Sequence, residues 1–90
     1  DYMDGFRVFT WDRQRFPDPA RLVADLRRDG FRSIVIVNPA VKRDENFSVY
    51  REGREKGFFV KRADGTEFVG SVWAGESAFV DFTDREAREW

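Results

Sequence analysis

The sequence predicts an α/β fold organised as strand, loop, helix, strand. Three observations predict it: a capped amphipathic helix in PDPARLVADLRRDGF, the β-branched run that follows it at once, and two apolar segments joined by a glycine turn in FFVKRADGTEFVGSVW. The opening residues Asp1 to Gly5 read as the end of a strand that precedes the helix.

The helix is expected over about residues 19 to 29. Asp18 is placed to cap its N-terminus, Pro19 suits the first helical position, and Gly30 supplies a left-handed C-terminal cap. Leu22, Val23 and Leu26 fall on one stripe, with Arg21, Asp25, Arg28 and Asp29 largely outside it, so one face lies on something apolar. Ser33-Ile34-Val35-Ile36-Val37 then forms an unbroken β-branched run, which fits a parallel strand covered on both faces.

From Pro39 to Gly57 the pattern dissolves into charged residues with scattered Phe47, Val49 and Tyr50, a loop or short helical turn. A β-hairpin follows, with Phe58 to Lys61 and Glu67 to Val72 flanking Ala63-Asp64-Gly65-Thr66, where Asp-Gly favours a type I′ turn. A further apolar patch, Ala78 to Phe82, leads to Thr83, expected to cap a helix in DREAREW with Glu86 completing a capping box.

Composition narrows the function classes. The 90 residues carry 10 Phe, 3 Trp and 2 Tyr, enough apolar material to exclude disorder. Sixteen basic residues against seventeen acidic ones, intermixed, give a net charge of −1 and no concentrated basic face, so no nucleic-acid partner is expected. No apolar run reaches the roughly 18 residues that span a bilayer, and no membrane partner is expected. The absence of Cys and His removes disulfides, the usual transition-metal ligands, and Ser-His or Cys-His nucleophile pairs. Localisation stays open.

Four blocks in order, DYMDGFRVFTWDRQRFPDP, IVIVNPAVKRDENFSVYREG, GFFVKRADGTEFVGSVWAG and FVDFTDREAREW, together resemble glycoside hydrolase family 31 across essentially the whole chain. The resemblance implies an α/β fold that is a fragment of a (β/α)8 TIM barrel: strands 2 and 3 with the insertion after strand 3, which contains the β-hairpin. Residues 1–90 would then be a partial catalytic domain with both flanks missing and residues 39–78 an excursion within it, since a closed barrel takes about 250 residues. The remainder of the barrel would be needed for folding.

The implied activity is retaining hydrolysis of terminal α-linked sugars, mostly α-glucosides, with no cofactor. The family's nucleophile, in a Trp-x-Asp-Met-Asn-Glu type motif, and its acid/base aspartate lie on later strands. No catalytic residue is therefore expected in these 90 residues, which alone should be inactive. Asn38, Ala74 and Val80 depart from the family pattern, where Asp, Pro and Pro are common, and leave fine substrate preference open.

Two residues are expected to touch an α-glucoside or oligosaccharide substrate. Sugar rings present apolar C–H faces that stack on indoles, and Trp73, followed by Ala74-Gly75, belongs on an irregular turn. By resemblance Trp73 lines the terminal-sugar pocket and Ile36 is a strand-end residue of its wall. The alternatives are a core Trp closing the hairpin and plain barrel core for Ile36.

Other signals have plainer readings. The acidic pairs Asp1/Asp4 and Asp81/Asp84 read as solvated carboxylates, and Trp11 with Phe6, Phe9 and Phe16 as a packing cluster. Asn46-Phe47-Ser48 matches the short glycosylation pattern and carries little information. The rival functional classes are a free-standing carbohydrate-binding module stacking sugars on Trp73 and Trp11, and a ligand-free structural domain.

Overall fold

The computed structural model describes all 90 residues, which form two compact units, Asp1–Val37 and Asn38–Trp90.

In the first unit the expected helix is present as α1, Pro19–Arg28. The Asp18 side chain accepts a 2.9 Å hydrogen bond from the Arg21 amide, satisfying one donor that an N-terminal turn leaves unpaired. At the other end Gly30 takes φ +90°, the Gly30 amide donates to Arg27 O, and the Phe31 amide donates to Leu26 O. That pair of bonds is a Schellman closure, and it turns the chain straight into the β-branched run. Of the helix residues only Pro19 is buried, and Leu22 and Val23 stand exposed.

Two strands expected in this unit are not formed. Residues 33–37 carry no ladder hydrogen bonds, and Ile34 and Ile36 are 92% and 75% exposed. A parallel strand obtains its bonds from neighbouring strands, and every strand present in these residues lies in the second unit, paired antiparallel. The opening residues are not a strand end either: Asp4–Phe6 is a single 3-10 turn, with Gly5 at φ 51° and Phe6 at φ 63°. Left-handed backbone at two successive residues ends any extended run. Thr10 braces this loop, donating to Arg7 O and accepting from the Asp4 amide.

The second unit is a three-stranded antiparallel sheet in the order β1-β3-β2, where β1 is Ala40–Lys42, β2 Val69–Val72 and β3 Gly75–Phe79. Helix α2, Ser48–Glu55, lies between β1 and β2 in sequence, where only a loop or helical turn was expected. Phe47, Tyr50 and Gly53 recur every three residues and are all buried, which is a helical stripe; the charges around it and the central glycine obscure the pattern. Tyr50 stacks on Phe59 with centroids 5.7 Å apart, and Phe59 meets Trp90 edge to face at 6.4 Å. Val41, Phe58, Ala78 and Ala87 complete this core.

The hairpin around Asp64-Gly65 is present with a different turn. Lys61 bridges Glu67, the Arg62 amide donates to Thr66 O, and the Gly65 amide donates to Arg62 O. Gly65 has φ +85°, whereas the only non-glycine residues at positive φ are Phe6 and Phe9. A type I′ turn needs positive φ at both central residues; here a type I turn is followed by a left-handed glycine, the three-residue loop with a bulge.

The last helix, α3, is Arg85–Glu89, and its cap is Asp84 rather than Thr83: the Asp84 carboxylate accepts from the Glu86 amide at 2.8 Å. Thr83 instead donates its amide and hydroxyl to Asp81.

Candidate functional site

Trp73 lies where the chain reverses between β2 and β3. The register pairs Val72 with Gly75 and Ser71 with Glu76, so Trp73 and Ala74 are the two central residues of a tight hairpin. Gly75 follows at φ +98°, a left-handed glycine closing the turn as Gly65 does in the first hairpin. The Trp-Ala-Gly sequence thus closes a second hairpin where an irregular turn was expected. The indole is 55% exposed.

The strands beneath this tip are fixed. β3 is the central strand, with Ser77 and Ala78 fully buried, and the Ser77 hydroxyl donates to the Gly75 carbonyl at 3.2 Å. On β2, Gly70 is overlaid by aromatic rings: a Cβ there would stand 3.0 Å from Phe79 Cε2, and Phe79 is 5.8 Å from Phe68 by centroids. The Arg62 guanidinium covers the Phe68 ring at 5.5 Å.

A polar network runs along the same sheet. The Arg43 amide donates to Glu76 O at 2.9 Å and the Arg43 guanidinium to Glu76 Oε2 at 3.2 Å. The hydroxyl of Tyr50, which is 1% exposed, donates to Glu67 Oε1 at 2.9 Å. Burial, with the Glu67 carboxylate beside it, pushes the Tyr50 phenol above its usual value. The Tyr50 oxygen and then the Glu76 charge hold Arg43 protonated beyond its ordinary range. Nothing in the sequence marked these four residues, because the partners lie 17 and 33 positions apart.

Ile36, the other residue expected at a sugar pocket, belongs to the first unit. Its side chain is exposed, and its main-chain carbonyl accepts a 2.8 Å hydrogen bond from the Tyr2 hydroxyl. Tyr2 in turn packs at 5.0 Å on Trp11, which meets Phe16 edge to face at 5.6 Å. The expected aromatic cluster therefore includes Trp11 and Phe16, with Tyr2 added, while Phe9 stands 70% exposed. An open groove of about 650 Å3 at the end of α1, lined by Val23, Arg27 and Gly30 to Ser33, contains neither Ile36 nor Trp73.

The acidic pairs are engaged locally. Asp1 accepts from the Met3 amide, Asp4 stands 3.7 Å from Arg7, and Asp81 and Asp84 cap backbone amides. Hydrogen bonds from Thr83 hold Asp81 below its usual pKa, those from Thr66 do the same for Asp64, and Lys56 does so for Glu52. A carboxyl that donates a proton near neutrality needs the opposite shift.

The family model "Glycosyl hydrolases family 31 TIM-barrel domain" matches residues 1–90. The chain belongs to glycoside hydrolase family 31. Among its relatives, Alpha-glucosidase 2 of Bacillus thermoamyloliquefaciens is 47% identical over 89 residues, covering 99% of this chain and 11% of that protein. The family 31 α-glucosidase of Bacteroides thetaiotaomicron is 43% identical, with a TM-score of 0.89 over 100% of this chain and 15% of that one. The ER glucosidase II complex of catalytic subunit and regulatory-subunit binding domain is 36% identical, with a TM-score of 0.93 over 99% of this chain and 10% of that one. The chain thus spans about a tenth of the length of the family 31 relatives it matches.

Proposed function

We propose that residues 1–90 form part of the catalytic domain of a retaining α-glycosidase that hydrolyses terminal α-linked sugars, with Trp73 as one wall of the sugar pocket. The observation that carries this reading is the indole at the tip of a braced hairpin: an aromatic face held out by rigid strands, in a chain that belongs to a glycosidase family along its whole length. An indole face can stack against the apolar C–H face of a pyranose, which suits a Trp at such a tip.

In this reading the residues ahead of the Asp4–Phe6 turn and residues 33–37 take adjacent places, strands 2 and 3, in a (β/α)8 barrel, and residues 39–78 are the excursion that follows strand 3. The Tyr2 to Ile36 hydrogen bond supports that adjacency, and the unpaired apolar run supports the view that its ladder partners belong to the rest of the barrel. Ile36 then ends its strand at the C-terminal face, where barrel enzymes build their sites. The two carboxyl groups that retaining hydrolysis requires, about 5 Å apart, come from outside these residues, which alone hydrolyse nothing. No cofactor takes part.

The test is Trp73→Ala in the full-length protein. Loss of a stacked aromatic face is worth about 1 to 3 kcal/mol by analogy with base stacking, so kcat/KM on a nitrophenyl α-glucoside should fall by roughly ten- to a hundredfold with little change in melting temperature. Near-normal kinetics with a large drop in melting temperature would make Trp73 a structural residue.

A further inference from the structure

The hairpin that carries Trp73 is strapped at two places by one set of side chains. Glu67 stands two residues before β2, and Glu76 is the second residue of β3, one position past the left-handed Gly75 that closes the Trp73 turn. Each carboxylate is held by a group from outside the hairpin: Glu67 by the Tyr50 hydroxyl of α2, Glu76 by the guanidinium of Arg43, which follows β1 and whose amide also donates to the Glu76 main-chain carbonyl. Tyr50 cannot move to follow the hairpin, because its ring is buried and stacked on Phe59 with an interplanar angle of 15°.

We infer that Glu67, Tyr50, Arg43 and Glu76 act together as a positioning device for the Trp73 indole, fixing the β2–β3 hairpin against α2 at its base and against the end of β1 near its tip. The inference rests on the proposed role of Trp73 in the sugar pocket and extends it to four residues that touch no sugar. Exposed ion pairs alone position little, and the Arg43–Glu76 pair is open to solvent. The anchor is therefore the buried Tyr50 hydroxyl, whose hydrogen bond to a carboxylate is charge-assisted and loses its partner altogether when the oxygen is removed. A stacking wall is sensitive to such a loss, since an ångström of displacement at a binding surface separates a productive contact from an idle one.

The experiment uses the full-length protein and a double-mutant cycle of Tyr50→Phe with Trp73→Ala, read as kcat, KM and melting temperature on a nitrophenyl α-glucoside. Tyr50→Phe keeps the ring, its burial and its stacking, and removes only the hydroxyl. With Trp73 present it should lower kcat/KM about three- to tenfold, with both kcat and KM affected; in the Trp73→Ala background it should change kcat/KM less than twofold. Arg43→Met should show the same dependence on Trp73 with a smaller effect. A Tyr50→Phe loss of equal size in both backgrounds would mean that the network supports the fold and not the indole, and overturns the inference while leaving the pocket reading intact. A loss at Trp73→Ala with no change at Tyr50→Phe also overturns it. Unchanged kinetics at Trp73→Ala itself would remove the pocket reading, and the inference with it.

Discussion

The Tyr2 hydroxyl donates a 2.8 Å hydrogen bond to the main-chain carbonyl of Ile36, 34 residues further along the chain. It joins the opening residues to the β-branched run at residues 33–37, and it does so through a carbonyl that no strand partner occupies. The same ring leans on Trp11, so the loop between Asp4 and Pro17 is folded back over the start of the chain.

Gly53 sits in α2 facing two aromatic rings. A methyl group there would lie 2.5 Å from Phe59 Cζ and 2.9 Å from Trp90 Cη2. Alanine favours a helix interior over glycine by about 1 kcal/mol, whereas overpacking a filled site costs about 1 to 3 kcal/mol. Phe59 is buried and stacked on Tyr50, so it has little room to give. Gly53→Ala should therefore destabilise the full-length protein by roughly 1 kcal/mol, seen as an earlier midpoint in urea; a later midpoint would show that the rings move aside.

Gly65 occupies φ +85° with nothing within 4 Å of where a Cβ would stand. Space is no obstacle, so any cost of substitution is purely conformational. A β-branched side chain at left-handed φ costs about 1 to 2 kcal/mol, and Gly65→Val should lower the melting temperature while Gly65→Asn, a residue tolerant of that region, should lower it far less. Equal effects for the two substitutions would contradict the assigned turn.

Asp81 accepts both the amide and the hydroxyl of Thr83, and these bonds hold its pKa below 3.8. A carboxylate whose folded pKa is depressed stabilises the fold fully above its unfolded pKa and loses that contribution as pH falls through the folded value. Asp81→Asn keeps an acceptor oxygen and cannot titrate. Wild type should exceed Asp81→Asn in stability at pH 7, and the gap should close as the pH falls below 3.8. A gap that stays constant down to the acid transition would mean that the charge on Asp81 contributes nothing.

Much of the local structure was legible because its signals are short-range. Asp18, Pro19 and Gly30 mark both ends of α1 through backbone requirements that act within a turn or two. Asp64-Gly65 marks a reversal, although the pair serves two turn types that differ in which residues take positive φ, and sequence did not choose between them. Thr83 and Asp84 are both good caps, and Asp81 decides between them by accepting the amide and hydroxyl of Thr83. Helix α2 was hidden because its buried stripe includes a glycine, whose role is absence of bulk under Phe59, a property without a hydropathy signal. β1 was hidden by its three-residue length.

At the candidate site the position of Trp73 on a turn was readable from the Ala-Gly that follows it. The network behind it was not, since hydrogen bonds between residues 17 or more apart leave no periodic trace. The run at residues 33–37 shows the opposite case. Its composition leads to the expectation of a strand covered on both faces, but a ladder is a property of neighbours, and composition alone does not supply them.

That unpaired run also sets the two units apart in where their backbone hydrogen bonds come from. The unit Asn38–Trp90 closes its own sheet and core from contacts among its 53 residues, many of them between adjacent hairpin arms. Such local closures are fast, whereas the β-branched run of Ile34 to Val37 has no ladder partner near it in sequence, and pairing at greater separation carries a larger entropic cost before any bond is gained. The unit bearing Trp73 thus holds its own ladder bonds, while Ile34 and Ile36 leave an open apolar edge of the kind that invites pairing with any complementary strand.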